Sequence, residues 1–335
     1  MRFGLLAVMA SALAIWPLRA QDLNAAAMPG SACMEFNQKI VNLVDNGNSG
    51  GAEAELSMAL STQQRTDRFC AAVTLHNMAS VIARSGRFEE SELLAERALK
   101  VFDLILPLDD PLRLRTLHLL WSAESQQGKR GKARQTFQSM RAVRLDSPLN
   151  RALFSSAAAV EAQVEGKNQE SEKEYKKAIS AHEEAGLGNT ADTSILHCGL
   201  ASLYIALGRL PDADKTINLA QSIANASKNI APRDRINILV ARATINAQRK
   251  IWPTAAEDLR SALLIADNNV GLNPSDLKIV LANFGYVLRK NHQGKEARAV
   301  EARAASMHPN PLTNAIVDVS ELVNKSKTRT VVEKQ

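Results

Sequence analysis

The sequence predicts an all-α solenoid of about seven helical hairpins ended by a C-terminal capping helix, and three observations predict it. The 335 residues are 45% hydrophobic but only 4% aromatic, rich in Leu and Ala, with Gly and Pro as punctuation, a balance suited to helices packed through small residues. A turn residue recurs at Gly47, Gly86, Gly128, Gly166, Gly208, Lys250 and His292, with separations of 39, 42, 38, 42, 42 and 42 residues. Five places after each stands a small residue: Ala52, Ser91, Ala133, Ser171, Ala213, Ala255 and Ala297. Twelve places after each comes a second, mostly small position: Ala59, Ala98, Met140, Ala178, Ala220, Ala262 and Ala304.

In chain order, Arg2, the apolar run Phe3 to Trp16, Pro17 and Ala20 read as a signal peptide over residues 1–20, cut before Gln21. The alternative is retention as an N-terminal anchor, although the run is shorter than the ~20 residues a span needs. The solenoid is expected over residues 33–309. Its first hairpin, from Cys33 to Ser61, is the weakest match, with Phe36, Ile40, Leu43, Ala52, Leu56, Ala59 and Leu60 in register and a loose turn at NGNSGG, as suits an end cap. In the second, Leu75, Met78, Ala79 and Ile82 share one helix face, Gly86 turns the chain, and Phe88, Ser91, Ala95, Ala98 and Leu99 line the returning helix. Later hairpins are separated by the stops Pro107 with Pro111, Pro148, the run Gly186 to Asn189, Pro232, Pro274, and Pro309 with Pro311. Leu312, Ile316, Val319, Leu322 and Val323 then trace one face of a capping helix over 312–324, followed by a tail over 325–335 expected to be disordered.

The pattern resembles the tetratricopeptide repeat, and NMASVIARSGRFEESELLAERALKVF followed by LPLDDP is similar to the long-period variety of kinesin light chains and of many exported bacterial proteins. The resemblance implies a right-handed superhelix whose first helices line a concave groove for a partner's peptide or helix. Carried onto this chain, the groove positions include His76, Ser80, Arg84, Arg115, His118, Ser122, Gln126, Gln163, Ser202, Thr244, Gln248, Tyr286, Arg289 and Lys290. Asn77 and Asn283 occupy the position that holds a partner's backbone in kinesin-light-chain-like repeats, where an amide both donates and accepts. The intervening repeats carry Leu119, Ala157, Gly199 and Ala241 there, so a continuous ladder of such amides is not expected. Neighbouring first helices of such a stack would bring Cys33 and Cys70 together, and an exported chain would bond them. Cys198 is left over as a small helix residue.

The formal charge is +6; without Arg2 and Arg19, 39 basic residues face 35 acidic ones, too mild an excess to imply nucleic acid. The chain carries no Gly-rich phosphate loop, no G-x-S-x-G, no H-E-x-x-H and no C-x-x-C. His76 and His118 share one repeat position, but the matching offsets supply no carboxylate, so no metal is expected; His197 reads as a core residue. The Glu-rich runs sit among Lys and Arg at helical spacing, as solvated faces do. The expectation is an exported, periplasmic or secreted, noncatalytic scaffold that binds another protein, without cofactor and without membrane insertion once the signal is cut. A small-molecule sensor or enzyme accessory with a pocket inside the superhelix is the alternative.

Overall fold

The computed structural model describes residues 31–45, 48–63, 68–227, 230–268 and 274–307. The expected signal segment 1–20, the turn at Gly47, the capping helix 312–324 and the tail lie outside these residues. Fourteen helices and no strands occur among the described residues. They are α1 Ser31–Asp45, α2 Ser49–Gln63, α3 Arg68–Arg84, α4 Phe88–Ile105, α5 Pro111–Gln126, α6 Arg130–Met140 and α7 Pro148–Val164. The second half holds α8 Asn168–Glu184, α9 Ala191–Ala206, α10 Leu210–Ala226, α11 Pro232–Gln248, α12 Trp252–Asp267, α13 Pro274–Lys290 and α14 Gly294–Ser306.

Each odd-numbered helix pairs with the even-numbered one after it, and contacts run to near neighbours in the chain, as in a solenoid. The turn residues make this geometry. Gly86, Gly128, Gly166 and Gly208 have φ of 71° to 80°, and Lys250 and His292 take the same left-handed turn at 62° and 61°. Beyond each turn the small residue seats the returning helix: Ala52, Ser91, Ala133, Ser171, Ala213, Ala255 and Ala297 are all buried. The second small position is buried from Ala98 to Ala304 and half-buried at Ala59.

Proline starts the hairpins. Pro111, Pro148, Pro232 and Pro274 each open a first helix, where the missing N–H costs nothing. Asp110 Oδ1 caps α5 by accepting from Leu112 N at 2.8 Å, and Ser147 Oγ caps α7 by accepting from Asn150 N at 3.1 Å. Between the hairpins runs a core in which Trp121, Tyr175, Phe102 and Phe284 are fully buried.

One repeat departs from the rest. Helix α6 has 11 residues whereas α4, α8 and α10 have 17 or 18. It corresponds to the 38-residue spacing between Gly128 and Gly166. While α5 packs along α7, the short α6 barely touches it. The first helices of these two hairpins therefore close on each other and the second helices splay apart.

Candidate functional site

Two places on the solenoid could bear function: the concave side lined by first helices, and the opening left by α6. On the concave side most of the expected groove residues are buried. His76, Asn77, Ser80, His118, Ser122, Gln126, Gln163, Ser202, Thr244 and Asn283 are each no more than 8% exposed. Arg84, Arg115, Gln248 and Tyr286 are partly exposed, and Arg289 and Lys290 face solvent.

Several of the buried residues are engaged along and between first helices. Asn77 Nδ2 donates to Asn37 Oδ1 at 2.8 Å, His76 Nδ1 meets Thr116 Oγ1 at 3.0 Å, His118 Nε2 meets Ser156 Oγ at 3.2 Å, and Trp121 Nε1 donates to Glu161 Oε1 at 2.7 Å. Each bond spans 38 to 40 residues, one repeat. Thr116 and Ser156 give their hydroxyl protons to the carbonyls of Leu112 and Leu153. The facing imidazole nitrogens must then be the donors, which fixes the tautomers. Burial, with a smaller contribution from His182, pushes His118 down to about 3, so its ring is neutral. Ser202 and Thr244 turn their hydroxyls to the carbonyls of Cys198 and Val240 in their own helices. His76 and His118 thus act as spacers between successive helices.

The sequence reading missed a charged cluster that ties distant repeats together inside the superhelix. Arg233, at the start of α11, donates from Nε to Asp276 Oδ2 and from Nη2 to Gln126 Oε1, both at 2.9 Å, and lies 4.8 Å above the Phe88 ring. Gln126 and Arg233 are 107 residues apart. Arg84, Asp192 and Asp234 border the same place, around a cavity of about 30 Å³, room for one or two waters. Burial raises Asp234 to about 6, against the opposing charges of Arg84 and Arg233. A signal for this cluster was present: Asp192, Asp234 and Asp276 each stand 16 residues before their turn residue.

Among the described residues, the concave positions of the last hairpin are the exposed ones: Ala282, Arg289 and Lys290 face solvent and Tyr286 is half-buried. Trp252 and Tyr286 meet edge to face at 6.3 Å, and the Lys290 ammonium lies 5.7 Å from the Tyr286 ring. Arg289 is held by Glu301. Gly199, one of the departures from the amide position, has a packing reason. A Cβ there would lie 2.8 Å from Cε1 of the buried Tyr175 ring.

The opening beside α6 is a cleft of about 730 Å³ with α7 as its floor and α6 and α8 as its walls. Phe137 and Phe154 stack at 5.5 Å in it, and Ala158 and Ala162 continue the apolar floor. Charged residues form its rim, with Arg151 paired to Glu184 at 2.6 Å, Arg134 to Glu165 and Lys177 to Glu174.

Of the cysteines, Cys198 is free and buried, and burial pushes its thiol up to about 12, far from a reactive thiolate. Cys70 is buried in the first turn of α3. The Cys33 side chain lies outside the described residues, and so therefore does the expected bond. Among the described residues no three metal-ligating side chains come together, and no helix is long and apolar enough to cross a membrane.

No protein-family model and no curated protein matches the chain. Solved structures do. BtubC (BKLC) from P. vanneervenii is 18% identical, with 67% of this chain and 94% of that one covered at a TM-score of 0.50. A tetratricopeptide repeat protein from Parabacteroides merdae is 17% identical over 89% of this chain and all of its own, at 0.47. A putative kinesin light chain with nearly identical TPR-like repeats, from Podosopora anserina, is 17% identical over 58% of this chain and 94% of its own, at 0.41. What the chain shares at this level is the fold: a stack of tetratricopeptide-type helical hairpins.

Proposed function

We propose that the protein is a noncatalytic scaffold that holds a partner protein on its helical solenoid. The observation that carries this reading is the hairpin stack itself, an architecture that spends its length on surface and commonly serves protein–protein contact. On the concave side, the part best suited to a partner segment is the C-terminal one, where Trp252, Tyr286 and Lys290 offer aromatic faces beside a positive charge. Between the second and sixth hairpins the interior is occupied by the Arg233 cluster. Its cavity of about 30 Å³ also leaves a small-molecule pocket there without ligand-sized space.

Export to an oxidising compartment, periplasmic or extracellular, and a Cys33–Cys70 bond belong to the same proposal. Both cysteines lie in the first turns of α1 and α3, helices that touch. The test is co-purification from separated cell fractions with wild type and with Tyr286→Ala/Lys290→Glu as baits, with non-reducing mass spectrometry of the bait. The expected result is a partner held by wild type and lost from the double variant, a bait beginning at Gln21, and linked Cys33 and Cys70 peptides. A partner held equally by both baits overturns the concave assignment, and an intact residue 1–20 segment with free thiols overturns export.

A further inference from the structure

We infer that the cleft between α6 and α8 is a docking groove for one amphipathic α-helix of a partner protein. This rests on the scaffold reading above and adds a second, outer surface to it. The groove exists because α6 stops at Met140, more than a turn short of where α4, α8, α10 and α12 end in their own repeats, so that α7 lies uncovered between two walls. Its shape is that of a helix seat. The lining residues of α8 run from Glu170 through Glu174, Lys177 and Ala181 to Glu184, a single face about 21 Å long at 1.5 Å per residue. The floor offers Phe154 and Ala158, partly exposed, with the Phe137 ring stacked beside them.

The charges give the groove a direction. Arg141 and Arg151 stand with Glu184 at the end where α6 finishes and α7 begins; Glu161, Glu165 and Glu170 gather with Arg134 and Lys167 at the opposite end, where α8 begins, which leaves an excess of cations at the first end and of carboxylates at the second. Several are paired internally, but Arg141 and Glu170 make no ion pair among the described residues: Arg141 only overhangs the Phe137 ring, at 5.6 Å. An occupying helix therefore presents its positive N-terminal end to the glutamates and its negative C-terminal end to the arginines. It runs in the direction of α6 and α8 and antiparallel to α7, completing the row of second helices that α6 interrupts. Its chemistry follows: about 14 residues, an apolar stripe at i, i+3, i+4 and i+7 spacing facing Phe154 and Ala158, a basic residue near its start and an acidic one near its end.

The test uses two fluorescein-labelled 15-residue synthetic helices of identical composition and apolar stripe. One carries Lys in its first turn and Glu in its last; the other has these exchanged. Fluorescence anisotropy is read against the full chain, Ala158→Arg and Arg141→Glu, each checked for folding by circular dichroism. Binding of the first peptide, weakened about tenfold or more by each substitution and by the exchange of ends, is the expected result. Equal binding of the two peptides, or binding indifferent to Ala158→Arg, overturns the proposal. So does binding of neither peptide, including the case in which only a small apolar dye such as anilinonaphthalene sulfonate enters the cleft. The two readings separate: failure of the peptide test, while the co-purification above still gives a partner held by wild type and lost from Tyr286→Ala/Lys290→Glu, leaves the scaffold standing while the groove falls.

Discussion

Glu124 shows how a single side chain couples burial to pH. It is buried beside α6, and its Oε2 accepts from Thr136 Oγ1 at 2.8 Å. Burial pushes it up to about 7, from the ordinary glutamate value near 4.3. The folded chain then holds a proton there that the unfolded chain has released. This contribution to stability is fully present below about pH 4.3 and is lost as pH rises through about 7. His118 and His182, pushed down by burial to about 3 and about 4, act oppositely, destabilising the fold as pH falls below about 6.5. Glu124→Gln keeps an acceptor for Thr136 and removes the ionisation. It should raise the melting temperature above wild type at pH 8 and leave the two nearly equal at pH 5. Thermal unfolding at both pH values checks this, and a difference that does not change with pH contradicts it.

At the scale of elements, the hairpin turns carry the clearest strain. The described glycine turns reach positive φ without cost, whereas Lys250 and His292 adopt it with a side chain, at roughly 1 kcal/mol each. Lys250→Gly should therefore raise stability by up to about 1 kcal/mol, part of the gain being offset by glycine's freer unfolded state. Gly166→Ala, at φ 77° with open space around it, should lower stability by about 1 kcal/mol. Urea unfolding midpoints of the two variants should move in opposite directions. The hairpins were legible because the turn residue and the small residue five places on keep one register from Gly86 to His292. Helix α6 was legible as a 38-residue spacing, but a count does not say whether the missing residues come from a helix or a loop. Packing decided it: α6 ends at Met140, buried, and the chain continues through Val143 to the Ser147 cap.

Over the whole molecule, Arg233 fastens the two halves of the superhelix. Its partner Asp276 is fully buried, and Arg233 itself is 11% exposed. Arg233→Met would leave that carboxylate without its cation, a loss on the order of 3 kcal/mol. It should also release α5 from α11, so that the radius of gyration in small-angle X-ray scattering rises as the melting temperature falls. Arg289→Met breaks only the solvent-exposed pair with Glu301 and should leave the melting temperature close to that of wild type, since solvent screens such a pair. If both variants behave alike, the interior cluster is not what holds the superhelix closed.

By itself the sequence determined the helices, their turns and which side of each second helix is buried, because turn chemistry and apolar spacing act over a few residues and repeat. It also placed His76, Asn77 and His118 on the first helices. Only the tertiary structure decided that these residues bond to the neighbouring helix, that Asp276 and Gln126 share one arginine, and that α7 is left uncovered beside α6. Those outcomes depend on the angle between successive hairpins, which accumulates along the stack from side-chain packing at every interface and is written in no single repeat.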